Sequence, residues 1–536
     1  MKKPNWKINV SGQGMSANEI VKAVMEARGI TDIDDFLNPS SVYITPSEEL
    51  LNIKQAAYTL ADHNNSVLIY ADTDTDGCTA AAIMYRYLSA LNPDADLYTY
   101  INKGKDHGIQ DYFDWSLLDL VDTVIVVDSI NDTSEMYNRI LTAGKHLIVL
   151  DHHIPSEEIL NIQEQINLVS SANNYSNPHL SGAGVCWKFC SYLDYIYETN
   201  YAETLVDLAT VGIIADVCDM MSMENRAICN QGFKLPINSA ILNLCKEGFD
   251  STAVSFNIAP LVNAANRMNR NDLALKLFIT DDSKEVKVLI KQLEDVRKLQ
   301  KEKVNELMPK LLQEGDLQKD YKCAFFFIKD ADNLSGLLAT KLTATYHKPC
   351  LVLHDTGDNY EGSMRAEGVE NFSKLVNDSG LGQCLGHENS AGICIPKSNF
   401  EQFQHYIEDV LSTIHFEQNL VVDLTLDRAQ ITPFLLSAFT RINRITGKNF
   451  EAVKVMIDNV KKYEIKQLSQ GKHLSVNTPD MKFLYWNFAD WDKVEDGGTF
   501  SAVGTLSENN FMGRKSTQMI LEDFHFTPSF KVTTLW

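Results

Sequence analysis

The chain has 536 residues, 44% of them apolar, which suffices for three or four domains with full cores and excludes a disordered chain. Its formal net charge of −23 argues against indiscriminate coating of nucleic acid, which cations drive by displacing counterions, but not against a nuclease whose metal-binding carboxylates add to the negative count. Ten cysteines scattered without a CxxC, a polar start (MKKPNWKINVSG) and no run of about 18 apolar residues lead us to expect a soluble, cytoplasmic protein with reduced thiols.

In chain order, residues 66–71 (SVLIYA) read as a buried strand running into three alternating aspartates, Asp72, Asp74 and Asp76, before Gly77 opens a helix-like stretch. Three carboxylates within five residues repel one another unless a cation lies between them, and hard oxygen ligands suit magnesium or manganese. The run matches the first half of a calcium loop. It fails at the twelfth position, where Ile83 stands in place of the bidentate Glu, and a strand rather than a helix precedes it. Residues 123–128 (TVIVVD) and 146–151 (HLIVLD) repeat the pattern and end on Asp128 and Asp151. Strands alternating with helix-like segments predict βαβ units and a parallel sheet, whose ligands bind outside the carboxyl ends, so these acids should converge at one crevice. The third run continues into His152 and His153. A neutral imidazole suits manganese or zinc, and a neighbouring carboxylate can hold its tautomer. Residues 207–220 (DLATVGIIADVCDM) form an apolar segment interrupted by Asp216, a charge that calls for a partner or a metal.

Further on, residues 286–308 have helical spacing with no breaker before Pro309, and should connect two lobes. Residues 362–365 (GSMR) and 386–392 (GHENSAG) then combine glycine-rich turns, which let backbone amides approach phosphate, with an arginine able to grip it. The last stretch holds repeated short strand-like runs, suggesting a small barrel. Between residues 441 and 482 nine Lys and Arg stand against four Asp and Glu, and Tyr463, Phe483, Tyr485, Trp486 and Trp491 interleave the region. Aromatic platforms beside cations bind single strands, although most aromatics in a small barrel are core.

Taken in order, YADTDTDG (70–77), VVDS (126–129), LDHH (150–153) and GIIADV (212–217) resemble the motifs of the DHH phosphoesterase superfamily, and specifically its RecJ-like single-strand exonucleases. SGAGVCWKF (181–189), NAANRM (263–268) and, loosely, NKGKDHG (102–108) resemble further segments of that branch. The resemblance implies an α/β fold: a parallel-sheet DHH domain (1–280), a connecting long helix (281–315), a smaller α/β DHH-associated domain (316–414) and a β-barrel OB-fold domain (415–536). It implies two Mn2+ or Mg2+ ions, one held by Asp76, Asp128, His152 and Asp216, the other by Asp74 and Asp128 with Asp72 completing the set, so that Asp128 bridges. Many superfamily members carry a histidine where this chain has Tyr70. Asp74, Asp76, Asp128, His152, His153 and Asp216 are the implied catalytic residues, with His153 meeting the scissile phosphate or the leaving group and Asp151 orienting His152. Implied substrate contacts are His107, where the branch usually has tyrosine, and Arg267, Ser363, Arg365, Gly386 and His387.

The function so implied is hydrolysis of single-stranded DNA by two-metal activation of water, 5′ to 3′ and releasing mononucleotides, in DNA repair, recombination or replication. A single-strand-binding protein or helicase is the expected partner. Two alternatives stand beside it: a phosphodiesterase of short oligonucleotides or cyclic dinucleotides, and a replication scaffold without chemistry. The basic, aromatic tail disfavours the first and the retained acids disfavour the second.

Overall fold

A computed structural model of the protein describes residues 6–104, 106–329, 332–414, 420–488, 491, 494, 498–511 and 514–528. Strand β1 (Trp6–Ser11) leads into helical segments, after which a five-stranded all-parallel sheet begins. It contains β2 (Ser66–Ala71), β3 (Asp96–Ile101), β4 (Thr123–Val127), β5 (His146–Asp151) and β6 (Leu168–Ser170), in the order β3-β2-β4-β5-β6. Alternation along these strands sends Val67, Ile69, Ile125 and Val127 into one core and Leu68, Tyr70, Val124 and Val126 into another on the opposite face.

The helices that flank the site are α1 (Thr75–Leu91), α2 (Gly182–Tyr197), α3 (Val206–Ala215), α4 (Met223–Lys234), α5 (Ala259–Arg267) and α6 (Ser283–Asp316). Helix α1 is buried on every side from Thr75 to Met84, with Ala80, Ala81 and Ala82 letting α2 and α3 approach closely. Helix α6 does not stop at Pro309. It continues to Asp316 because packing carries its last turns: Leu311 is buried and Gly315 lies against the Tyr346 ring, where a Cβ would come within 2.4 Å.

Beyond α6 a second sheet holds β7 (Ala324–Phe327), β8 (Cys350–Asp355), β9 (Asn359–Arg365), β10 (Gln383–His387) and β11 (Ser390–Pro396), ordered β10-β11-β9-β8-β7 and antiparallel except at β7–β8. The third sheet has eight strands: β1 with β12 (Leu420–Thr425), β13 (Lys454–Val460), β14 (Glu464–Leu468), β15 (His473–Asn477), β16 (Met481–Tyr485), β17 (Gly498–Phe511) and β18 (Arg514–Pro528). It curls around Phe483, Phe500 and Phe526. Among the described residues it is not closed into the expected barrel, since β1 and β14 form its two edges. The 1–280 span expected as the DHH domain, with its N-terminal lead-in, thus gives its first strand to the last sheet, where β1 pairs parallel with β12.

Two arginines hold this C-terminal unit against the chain's N-terminal part. Arg226 of α4 is buried between the rings of Phe36 and Phe450, 3.7 and 4.9 Å from their centroids, and donates to the carbonyls of Phe36 and Ile445. Arg28 meets Asp423 with a two-pronged hydrogen bond of 2.8 and 2.7 Å. No described helix is long and apolar enough to cross a membrane.

Candidate metal centre

The carboxyl ends of β2, β4 and β5 deliver Asp72, Asp128 and Asp151 to one edge of the parallel sheet. Asp74 caps α1, accepting from Gly77 N at 3.0 Å. Asp76, in the first turn of α1, is buried, and its carboxylate accepts from Gly182 N at 2.7 Å and Ala183 N at 3.0 Å. The free amides and the dipole at the N-terminus of α2 therefore hold this acid from behind. Glycine is required around it. A Cβ on Gly212 would lie 2.2 Å from Asp76 Oδ1, and one on Gly182 would lie 2.7 Å from Asp128 Oδ1. Asp128 adopts a left-handed backbone (φ 54°), a strained conformation that recurs at functional sites.

The structure brings the sequence-expected acids together around Asp128. Ligand atoms of Asp76, His152 and Asp216 lie within 4.8 Å of one another, as do those of Asp72, Asp74 and Asp128, and those of Asp128, His152 and His153. His152 Nε2 lies 3.1 Å from Asp128 Oδ1 and 3.9 Å from Asp76 Oδ2, while its Nδ1 lies 3.7 Å from Asp216 Oδ2. Burial, reinforced by the charges of Asp72 and Asp76, pushes Asp74 up to about 8. Burial and Asp216 push Asp76 up to about 6, and burial with Asp76 and Asp74 raises Asp128 well above the carboxylate range. Oδ1 of Asp72 and of Asp128 are buried without a hydrogen-bond partner among the described residues. Orphaned carboxylate oxygens that raise one another's pKa are the signature of a site completed by cations, and oxygen donors with one imidazole fit manganese or magnesium.

Asp151 acts differently from the expectation. Its Oδ1 accepts from the backbone amides of His152 and His153, both at 2.7 Å, and from His153 Nδ1 at 2.8 Å, while Oδ2 accepts from Ile130 N. It fixes the loop and the His153 ring, not the His152 ring. Burial would lower His153, but the charge of Asp151 prevails and pushes it up to about 9, leaving a cation beside the acids. His107 Nδ1 stands 3.5 Å from Asp72 Oδ2 with its ring 4.7 Å from that of His153, so it borders the acids themselves. Lys105 of the same segment lies outside the described residues. Tyr70 points away from the acids. Its hydroxyl bonds Asn102 and the Gly108 carbonyl under the 102–108 loop, and its ring stacks on Tyr100 in the opposite core.

Arg267 ends α5 and Arg365 ends β9. Burial lowers both, and the charge of Arg267 further lowers Arg365, which places the two guanidiniums within mutual repulsion. Among the described residues neither has a carboxylate partner. Ser363 is buried and paired with Ser335 at 2.8 Å. Gly386 (φ 129°) and the exposed His387 sit at the end of β10, and among the described residues no hydrogen bond or ion pair joins them to the acids. In the C-terminal sheet Phe483 is core, Trp491 donates to the Gly471 carbonyl, and Trp486 is exposed beside His473. Sequence reasoning missed Asn266, whose Nδ2 donates to Thr73 Oγ1 at 3.0 Å and joins α5 to the aspartate loop; its only local signal is its place beside Arg267. It also missed the amides of Gly182 and Ala183, although Ser181 before two glycines marks a capped helix start.

A parallel sheet with acids at its carboxyl edge, a second α/β lobe beyond a long helix and a β-rich C-terminal unit define a class, and comparison with known proteins gives it a family. Residues 66–213 match the DHH family, N-terminal domain, and residues 422–523 match the RecJ OB domain. The SPbeta prophage-derived protein YorK of Bacillus subtilis (strain 168) is 26% identical over 549 residues, covering 92% of this chain and 94% of its own. The single-stranded-DNA-specific exonuclease RecJ of Thermus thermophilus is 25% identical over 489 residues, covering 87% of this chain and 69% of its own. Crystal structures of the Thermus thermophilus RecJ in complex with Mn2+ and with Mg2+ superpose with TM-scores of 0.78 and 0.73 at 22% and 20% identity, covering 99% and 98% of this chain and 81% and 79% of theirs. The chain thus carries a DHH N-terminal domain and a RecJ OB domain and is similar to RecJ over most of its length.

Proposed function

We propose that the protein is a metal-dependent exonuclease that hydrolyses single-stranded DNA from its 5′ end and releases mononucleotides. The observation that carries this reading is the convergence of Asp72, Asp74, Asp76, Asp128, His152 and Asp216 around one buried carboxylate. The relatives are single-stranded-DNA-specific exonucleases by name, and two solved neighbours hold Mn2+ and Mg2+. In this reading Asp76, Asp128, His152 and Asp216 hold one divalent ion and Asp72, Asp74 and Asp128 the other. Two such ions, when bound, supply a water of lowered pKa and offset the charge that develops on the phosphate.

The chain's own groups do the rest. Glycines at 182 and 212 leave room for the carboxylates, and the α2 amides fix Asp76 so that it need not reorganise during the reaction. His153, held protonated by Asp151, is placed to donate to a phosphate oxygen or to the leaving oxygen. His107, pulled toward Asp72, shapes the same edge. Arg267 and Arg365 relieve their mutual repulsion by sharing a phosphate, which draws the two lobes onto the strand. Trp486 offers an exposed face on which a base can stack. Ten unpaired cysteines suit the reducing cytoplasm.

The test is the full-length protein with manganese and, in parallel, end-labelled single strands, duplexes and dinucleotides. Stepwise shortening of the long single strand from the 5′ end, lost in Asp128→Ala, is expected. Cleavage of dinucleotides alone would replace this reading with that of a small-substrate phosphodiesterase.

A further inference from the structure

The acids of the centre are not held alike. Asp76 accepts two backbone N–H bonds, Asp151 accepts three and Asp74 accepts one. Among the described residues Asp216 receives none. Among the described residues the only hydrogen bond to its carboxylate comes from the Cys218 thiol, at 3.5 Å. Where the carboxylate points is therefore decided by its backbone.

That backbone is the C-terminal end of α3. Val217 N donates to the Ile214 carbonyl and Cys218 N to the Ile213 carbonyl, the paired bonds of a helix end that turns through a left-handed residue. The left-handed residue is Val217 (φ 55°), more than half exposed. Glycine is the usual occupant, and a β-branched residue there is strained, so the turn persists only if the chain beyond it is held from outside.

What holds it is the 443–450 loop of the C-terminal unit, within the span matched to the RecJ OB domain. Met220 N donates to the Lys448 carbonyl at 2.9 Å, and Asp219 forms a bridge with Lys448. Asn449 Nδ2 donates to Asp219 Oδ2 at 2.9 Å. Gly447 packs so closely that a Cβ would lie 2.7 Å from Met220 Cγ. Arg226 clamps both sides by donating to the carbonyls of Met220 and Ile445.

We propose that the 443–450 loop is a positioning element for Asp216, so that the nucleic-acid-binding unit also sets one of the metal-binding carboxylates. The inference rests on the reading of Asp216 as a metal ligand. Its test compares the full-length protein with Asn449→Ala, Gly447→Val and Asp216→Asn, titrating Mn2+ by calorimetry, measuring single-strand affinity in EDTA, and separating kcat from KM.

Asn449→Ala and Gly447→Val should each weaken Mn2+ binding about tenfold, in the range seen when support of a metal ligand is lost, and lower kcat. Single-strand affinity in EDTA and KM should stay as in the unaltered protein. Asp34→Asn, which breaks the exposed contact of the same unit through Arg441, should leave the Mn2+ isotherm unchanged. If Asp216→Asn weakens Mn2+ binding but the loop variants do not, the inference is overturned; if Gly447→Val fails to fold, Asn449→Ala alone decides. If Asp216→Asn itself leaves Mn2+ binding intact, the metal reading of Asp216 falls first and the inference with it.

Discussion

The carboxyl edge of the parallel sheet and the candidate strand-contact surfaces are built on opposite principles. At the edge, backbone amides and bare glycines hold buried acids with no slack: Asp76 sits on two N–H groups with Gly212 pressed against its oxygen. On the second lobe and the C-terminal unit the candidate contacts are side chains at least partly open to water, such as Arg365, His387 and Trp486. The difference teaches that changes at the edge should act all or none, whereas changes on those surfaces should be graded and sensitive to salt.

The largest expected effect is that of Asp128→Ala. It removes the acid common to both ligand sets and should abolish nuclease activity by several orders of magnitude in a single-turnover assay. Gly212→Ala should come close, because the added Cβ must displace Asp76 Oδ1; loss of Mn2+ binding at near-normal helical content by circular dichroism checks it. His153→Ala should lower kcat about 100-fold with little change in single-strand affinity.

A pH series sharpens the same comparison. Asp74 and Asp76 are raised to about 8 and about 6, so the folded chain binds more protons than the unfolded one. Stability in EDTA should therefore fall as pH rises from about 5 to about 8, and His153, raised to about 9, adds to the fall. Added Mn2+ should reverse it. A metal-free melting temperature that climbs over this window would contradict the electrostatic picture. The smallest effect belongs to the open surface: Trp486→Ala should weaken binding of long single strands by about 1–3 kcal/mol, read as a change in Kd that leaves dinucleotides unaffected.

Much of the edge was legible in the sequence because strand period and chain chemistry coincide there: three apolar runs end on Asp72, Asp128 and Asp151, and parallel strands must present those ends together. Asp151 was legible as a partner but not for which ring, since choosing between two adjacent histidines depends on loop geometry. The amides of Gly182 and Ala183 were hidden because backbone groups leave no residue signature. Strand β1 was hidden because pairing between Trp6–Ser11 and Leu420–Thr425 is long-range, and the edge strand's short alternating pattern names no partner. Tyr70, which marked a departure from the superfamily pattern, lies in the opposite core, where its hydroxyl bonds the Gly108 carbonyl, while Asp72 lies beside Asp74 and Asp128.

The central claim is that two cations share Asp128. It is tested most directly by counting Mn2+ bound per chain, by electron paramagnetic resonance, in the unaltered protein, Asp216→Asn and Asp128→Ala. Two ions, then one, then neither held tightly is the predicted series. Two tightly held ions in Asp128→Ala would contradict it.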